Sequence, residues 1–227
     1  NIQDAYPLSP MQSGLLFQAL YAPHSDTYFV QSIFELSGDV DSQSLHTAWQ
    51  WVSDHYSVLR TIIRWEKSKI PFQCILEHCS VPFSVHNWIM DDEAQHQEKL
   101  ESFLQYDRLQ GFDLSQAPLF RLHLIQCSPT KHYLIWSQHH ILTDGWSGPI
   151  IISDVLRVYA CLRQGKKPSL AIRRPYRDYI AWLQQQDMEK ARVFWQDYLS
   201  SVESPTRLSF KDMVTLPTDK DYDNYSF

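Results

Sequence analysis

The sequence lacks any long apolar run, since nothing in its 227 residues approaches the ~20 consecutive apolar residues that a transmembrane helix needs. It also lacks a positively charged, apolar leader at its start, so it indicates no secretion signal. Basic residues are outnumbered, with 20 Lys and Arg against 26 Asp and Glu and a formal net charge of −6. These absences argue against a membrane or a nucleic acid as partner.

Paired cysteines are absent as well. Cys74, Cys79, Cys127 and Cys161 form no Cys-x-x-Cys pair and match no zinc-ligand spacing, so we expect no metal site. Scattered thiols are typical of reduced proteins, which predicts a cytoplasmic location.

No Gly-x-Ser-x-Gly segment occurs, so the sequence does not indicate a covalent acyl-enzyme.

The hydrophobic pattern predicts a mixture of helices and strands without strict βα repetition. The short turn of residues 128–131 predicts an antiparallel pair of strands on either side of it. We therefore expect an α/β two-layer sandwich with a mixed, largely antiparallel sheet. Predicted strands cover Tyr28–Leu36, Leu59–Trp65, Phe72–Leu76, Leu119–Cys127 and His132–Gln138. Predicted helices cover Met11–Tyr21, a segment capped by Asp41 or Ser42, Asp91–Gln110, Trp146–Leu162, Tyr176–Gln186 and Met188–Leu199.

The segment Ser137–Trp146 contains the residues most suited to chemistry, where a strand is predicted to end and a helix to begin. Adjacent residues of a strand point to opposite faces, so His139 and His140 are not expected to bind one metal together. One imidazole should face packed side chains and the other a cleft. An imidazole, with an ordinary pKa of about 6.5, suits general-base or orienting work on an amine or hydroxyl. Asp144 can turn back towards the loop and fix its shape.

His139-His140-Ile141-Leu142-Thr143-Asp144-Gly145 resembles the HHxxxDG motif of condensation domains of non-ribosomal peptide synthetases, which are similar to chloramphenicol acetyltransferase. Three further segments match motifs of that family in the same order. They are Ser9–Phe17, the segment Asp54–Thr61 with its Leu-Arg-Thr, and Tyr176–Gln184.

The resemblance implies roles for individual residues. His140 would be the catalytic histidine, acting as a general base or positioning the attacking amine. His139 and Gly145 would shape the loop, and Asp144 would form a salt bridge with Arg60. The path of the pantetheine arm and substrate would pass Gly145, Trp146 and Ser147.

The resemblance also implies a chloramphenicol-acetyltransferase-like lobe, in a protein that has two such lobes and a tunnel between them. Residues 1–170 would form the N-terminal lobe. Residues 171–227 would form interlobe helices and the start of a truncated second lobe, with a strand opening at Tyr222–Phe227. We expect no intrinsic cofactor. The 4'-phosphopantetheine arms of donor and acceptor carrier domains would bring the substrates, an adenylation domain would be adjacent, and the lobe alone would be inactive.

Several readings of the resemblance remain open. An amide-forming condensation domain is the main one, and the segments Tyr6–Phe17 and His139–Ser147 look like the subtype that takes a D-configured donor. The alternatives are an epimerisation domain, a non-catalytic platform that recruits carrier domains or tailoring enzymes, and a stand-alone acyltransferase that uses coenzyme A. The heterocyclising subtype is disfavoured because it replaces the two histidines.

Overall fold

A four-stranded mixed sheet carries the residues of the candidate site. The computed structural model describes residues 1–22, 26–66 and 68–204, without the side chain of Glu93. It divides into two compact units, 1–185 and 186–227. In the sheet, with strand order β2-β7-β6-β5, β5 runs parallel to β6 and the other pairs are antiparallel. The strands are β2 (Phe29–Ser37), β5 (Phe83–Asn87), β6 (Phe120–Ser128) and β7 (Lys131–His139).

A second, three-stranded antiparallel sheet has the order β1-β4-β3. Its strands are β1 (Ile2–Pro7), β3 (Thr61–Arg64) and β4 (Phe72–Leu76). Helix α5 (Tyr176–Leu183) packs against this sheet, where Ile180 joins Tyr6 and Ile75 in a buried cluster. Arg177 also pairs with the carboxylate of Asp4 at 3.0 Å.

Several helices begin where a polar side chain satisfies their first backbone N–H groups. Ser9 and Gln12 form a capping box at the start of α1, Asp41 caps α2, and Asp92 caps α3. The bounds are α1 (Pro10–Tyr21), α2 (Ser42–His55), a 3-10 helix (Ser57–Arg60), α3 (Glu93–Leu109), α4 (Ser147–Arg163) and, in the second unit, α6 (Met188–Tyr198). No helix in the described part of the chain is long and apolar enough to cross a membrane.

The main core lies between the four-stranded sheet and the helices α2 and α4. Helix α2 buries one stripe at helical spacing, which is Leu45, Ala48, Trp49 and Val52. The indole of Trp49 packs against Trp136 of β7, with ring centroids 5.2 Å apart. The alternate side chains of β6 and β7 that share this core are Phe120, Leu122, Leu124 and Leu134.

Helix α3 covers the opposite face of the same sheet. Its Leu100 packs with Ile125 of β6 and Ile135 of β7 in a separate buried cluster. The two faces of the sheet therefore hold different residues of each strand, as the period of two requires. Odd-numbered residues of β7 from 135 onward face α3, and even-numbered residues face α2 and α4.

A buried carboxylate fixes α3 to the sheet. Asp107, only 3% exposed, accepts from Arg121 Nε at 2.5 Å and from His123 Nε2 at 3.2 Å. It also accepts from Ser137 Oγ at 2.5 Å and from Gln31 Nε2 at 2.8 Å. Strands β2, β6 and β7 thus each donate to one side chain of the helix.

The predicted α/β two-layer fold with a mixed, largely antiparallel sheet is confirmed. The structure adds a second sheet and shows that the predicted helix Asp91–Gln110, which is α3, covers the outer face of the four-stranded sheet. The predicted helices and most predicted strands are present with small shifts at their ends. Leu59–Trp65 is divided between the 3-10 helix and β3. Strands β1 and β5 were not predicted, and the strand opening predicted at Tyr222–Phe227 lies outside the described residues. The predicted boundary between residues 170 and 171 stays a prediction.

Replacing the Asp107 carboxylate should destabilise the fold above about pH 4. Burial raises the pKa of Asp107, but hydrogen bonds from His123, Ser137 and Arg121 outweigh it and hold this pKa well below its ordinary value. A lowered folded pKa contributes stability that is present above the unfolded pKa and is lost as pH falls through the folded pKa. We expect Asp107→Asn to lower the free energy of unfolding by about 3 kcal/mol near neutral pH, because it leaves Arg121 uncompensated. Urea denaturation would measure this loss, which should shrink on acidification; an equal loss at about pH 7 and pH 3 would contradict the assignment.

Candidate active site

The two adjacent histidines lie at the end of β7, in the loop that leads to α4. His139 is the last residue of the strand and is 8% exposed, whereas His140 is exposed. The backbone N–H of His140 still donates to the carbonyl of Tyr28, with 2.8 Å between nitrogen and oxygen. The strand geometry therefore continues up to His140 and sends the two imidazoles to opposite sides, as predicted from the sequence.

The hydrogen bonding of His140 determines which of its nitrogens is basic. Its Nδ1 lies 2.6 Å from the carbonyl oxygen of Thr143. A carbonyl oxygen only accepts, so Nδ1 carries the hydrogen when the ring is neutral. Nε2 then holds the lone pair, and it has no hydrogen-bond partner among the described residues.

Two buried polar side chains hold the Thr143 carbonyl in place. Thr143 is 7% exposed and its hydroxyl donates to Oε1 of Gln138, with 2.8 Å between the oxygens. Gln138 is 5% exposed and lies on the same face of β7 as His140. The orientation of His140 therefore depends on a strand residue two positions earlier, through the turn between them.

His139 has the other tautomer. The backbone N–H of Ile141 donates to its Nδ1 at 3.1 Å, so the hydrogen of the neutral ring is on Nε2. Burial, with a smaller contribution from the charge of His140, lowers the pKa of His139 to about 4. His139 is therefore neutral near pH 7 and is a poor proton acceptor compared with an ordinary histidine.

The loop is also held from α1. Gln12, which is 5% exposed, donates from Nε2 to the carbonyl of Ile141 at 3.3 Å. Its Oε1 accepts from Nε2 of the fully buried Gln73 on β4 at 2.9 Å. The segment Ser9–Phe17, which was singled out in the sequence, thus contacts the histidine loop directly through Gln12.

Asp144 caps the helix that follows the loop. Its Oδ1 accepts from Ser147 Oγ at 2.6 Å, from Ser147 N at 2.8 Å and from Trp146 N at 3.1 Å. The hydrogen bond from the Ser147 hydroxyl, followed by that from its backbone N–H, lowers the pKa of Asp144. These contacts join the end of the histidine loop to the first turn of α4.

The expected salt bridge between Asp144 and Arg60 is wrong for this structure. Arg60 is 4% exposed and its guanidinium donates to four main-chain carbonyls and to the side-chain oxygen of Gln3. The accepting carbonyls are those of Ser53, Asp54, Leu76 and Glu77. Since all of these acceptors lie around the end of β4 and the end of α2, the guanidinium is satisfied away from the histidine loop.

The three residues predicted to line a pantetheine path follow Asp144. A Cβ added at Gly145 would meet no atom within 4 Å, and its backbone does not have a positive φ. The packing around position 145 therefore does not require a glycine there, and the space that a Cβ would occupy is open. Trp146 is 85% exposed, while Ser147 is partly buried and bonded to Asp144.

Some residues that hold the site were not singled out from the sequence as site residues. They are Gln138, Thr143 and Gln73, together with Tyr28, whose contact is through its backbone. A polar residue inside an otherwise apolar strand, as in Phe72-Gln73-Cys74-Ile75, is a signal that could have pointed to Gln73. No comparable pattern marks the backbone contact of Tyr28. No three His, Cys, Asp or Glu side chains in the described ranges could together hold a metal ion.

Comparison with known proteins gives a consistent result. The family model described as "Condensation domain" matches residues 2–227. One polypeptide of the linear gramicidin synthase of Brevibacillus parabrevis is 40% identical over 213 residues, which is 93% of this chain and 3% of that protein. Bacitracin synthase 3 of Bacillus licheniformis is 38% identical over 208 residues, covering 91% of this chain and 3% of that protein.

Solved structures of low sequence identity share the fold. A variant of the starter condensation domain of rhizomide synthetase has a TM-score of 0.79 at 21% identity, covering 89% of this chain. The first condensation domain of the calcium-dependent antibiotic synthetase has a TM-score of 0.78 at 16% identity, covering 90% of this chain. This chain spans 50% of each of those two structures.

If Asp144 caps α4 while Arg60 is satisfied elsewhere, the two side chains should contribute to stability independently. We expect Asp144→Ala to lower the free energy of unfolding by about 1 kcal/mol, as for the loss of a helix cap. Arg60→Ala should cost more, because several buried carbonyls lose their donor. A double-mutant cycle followed by urea denaturation should give a coupling energy below about 0.5 kcal/mol. A coupling energy well above that value would show that Asp144 and Arg60 do form an ion pair.

Proposed function

Since the chain belongs to the condensation-domain family, we propose that it supplies the histidine for peptide-bond formation between two carrier-bound thioesters. The observation that carries this proposal is the state of His140. This residue is exposed, its Nδ1 is hydrogen-bonded to the Thr143 carbonyl, and its Nε2 has no partner among the residues described. Synthetases similar in sequence support the substrate class, since their names describe enzymes that make gramicidin and bacitracin.

The proposed reaction is a direct acyl transfer. The amine of the acceptor thioester attacks the carbonyl carbon of the donor thioester, so that a C–N bond forms and the C–S bond breaks. Nε2 of His140 accepts a hydrogen bond, or the proton, from the attacking amine, and the departing donor thiolate takes up a proton. His139 does not compete for this proton, because burial first and then the charge of His140 lower its pKa to about 4.

We further propose that the 4'-phosphopantetheine arms of donor and acceptor carrier domains bring the two thioesters to His140. The open space at Gly145 fits the close approach of such an arm, since a Cβ there would meet no protein atom within 4 Å. Trp146, 85% exposed, and Ser147 are proposed to line the same path. An adenylation domain that loads the acceptor carrier is the expected neighbour.

The division into lobes is also part of this proposal. Residues 1–170 would form the first lobe, and residues 171–227 would begin the connection to a second lobe. The chain spans 50% of a solved condensation domain, which agrees with one lobe of two. No specific observation favours the epimerisation or recruitment alternatives.

His140→Ala in the complete synthetase should reduce peptide formation by roughly 10²–10⁴-fold, because it removes the group that accepts the amine proton. Product release from loaded carrier domains, followed by mass spectrometry, would measure this. Since His140 is exposed, its replacement should change stability by less than about 0.5 kcal/mol. The same assay with D- and L-configured donors tests the resemblance to the subtype that takes a D-configured donor. If the chain belongs to that subtype, the D-configured donor should react faster.

The matched control for this measurement is His78→Ala, which removes another exposed histidine, with a side chain 63% exposed. It should leave the rate of peptide formation unchanged. Undiminished product from the His140 variant, with the fold intact by circular dichroism, would remove His140 from the mechanism.

Gly145→Val tests the proposed pantetheine path. Because a Cβ at this position meets no protein atom within 4 Å, we expect the variant to remain folded. It should nevertheless slow peptide formation by about tenfold or more, since misplacing a reactant slightly has large effects on rate. Peptide formation at the wild-type rate would show that the arm does not approach this residue.

A further inference from the structure

Gln138 places a polar side chain at an otherwise apolar position of the four-stranded sheet. It follows Leu134 and Trp136 on the face of β7 that packs against α2 and α4, and it is 5% exposed. Its partners in the register of the adjoining strands are Val30 of β2 and Phe120 of β6. An apolar side chain would suit the packing here, whereas a buried amide is costly unless a hydrogen bond compensates it. The position of Gln138 therefore points to the contact that its amide makes.

That contact is with Thr143, which uses two polar groups in two directions. Its hydroxyl donates to Oε1 of Gln138, with 2.8 Å between the oxygens, and its carbonyl oxygen lies 2.6 Å from Nδ1 of His140. Thr143 is itself 7% exposed. Because a β-branched side chain has a restricted χ1 angle, holding its hydroxyl also holds the backbone that carries the carbonyl. The amide of Gln138 thus acts on the imidazole of His140 through one residue.

The Thr143 carbonyl determines the tautomer of His140. A neutral imidazole carries its hydrogen on either ring nitrogen, and the hydrogen bond of one nitrogen decides which. With the carbonyl in place, the hydrogen is on Nδ1 and the lone pair is on Nε2. With the carbonyl displaced, the second tautomer becomes populated, and its Nε2 has no lone pair to accept from an amine.

The cavity on the other face of the sheet has no part in this arrangement. It has a volume of about 410 Å³, lies between the end of α1 and the end of α3, and includes His139 but not His140 in its wall. Since the two imidazoles leave the strand on opposite sides, a contact that acts on His140 has to come from the face that carries Gln138.

We propose that Gln138 and Thr143 are positioning residues, whose hydrogen bond holds the Thr143 carbonyl where it keeps the lone pair of His140 on Nε2. This inference rests on the proposed function. Neither side chain touches the reacting atoms, and both act through His140. Both also lie where the HHxxxDG pattern leaves the residue type open, since Gln138 precedes the pattern and Thr143 is its third variable residue.

The first test reads the tautomer in the 227-residue chain. Long-range nitrogen–proton NMR at about pH 8, above the ordinary pKa of an imidazole, shows which nitrogen of His140 carries the hydrogen. Thr143→Val removes the hydroxyl with little change of shape, and it should give a mixture of the two tautomers. Thr143→Ser keeps the hydroxyl and should keep the hydrogen on Nδ1, as in the unaltered chain.

The second test measures single-turnover peptide formation from loaded carrier domains in the complete synthetase. Thr143→Val should slow this step about tenfold without changing the loading of the carriers, because the reactants still arrive but the lone pair is misplaced. Thr143→Ser should recover most of the lost rate. Gln138→Met removes the acceptor from the other side and should give a similar loss. The double variant should be no slower than the slower single variant, because both changes break one hydrogen bond.

The matched control is Thr47→Val, the same change at an exposed position of α2, where the hydroxyl donates to the carbonyl of Gln43. It should leave the tautomer of His140 and the rate unchanged. If Thr143→Val does not fold, Gln138→Met supplies both measurements.

An unchanged tautomer of His140 in the variants at positions 138 and 143, or a changed tautomer with an unchanged rate, would overturn the inference. The proposed function would survive that result, because it depends on the loss of peptide formation in His140→Ala. Full activity of His140→Ala would instead remove the proposed function together with the positioning role, so the two failures are distinguishable.

Discussion

Strand alternation is the constraint on which the site depends. The end of β7 is paired with β2 through Phe29 and His139, and the next residue still bonds to the Tyr28 carbonyl. Consecutive side chains therefore leave the strand on opposite sides, one towards α3 and one towards solvent. The adjacent residues His139 and His140 therefore have different environments. One imidazole is desolvated and neutral, and the other is accessible with one nitrogen tied.

Polar groups buried around the loop complete this arrangement. Gln12 of α1 donates to the backbone carbonyl of Ile141, and Gln138 of β7 accepts from the hydroxyl of Thr143. Each of these groups would be costly to bury alone, but here they satisfy one another. Breaking one contact would leave several groups without partners, which keeps the loop in a single conformation. Such rigidity is what a side chain needs to act on a reactant without reorganising first.

Much of the fold could be predicted because its segments follow clear periodicities, as the stripe of Leu45, Ala48 and Trp49 in α2 does. Strand β1 was missed because Ile2–Pro7 lies beside prolines and pairs with β4, far along the chain. The opposite placement of His139 and His140 was predictable from strand geometry alone. The partners of Arg60 were not, since four of its acceptors are backbone carbonyls, which every residue possesses. The cavity beside His139 likewise depends on the distance between α1 and α3, which no local pattern reports.

Helix α4 has no side-chain cap from its own N-cap residue, Trp146, and relies on Asp144 instead. The residue before Asp144 holds the imidazole of His140 through its carbonyl. Thr143 and Asp144, which are consecutive, therefore connect the orientation of the His140 ring to the start of the 17-residue helix α4. The start of α4 and the direction of the reactive imidazole are thus set by neighbouring residues of one loop.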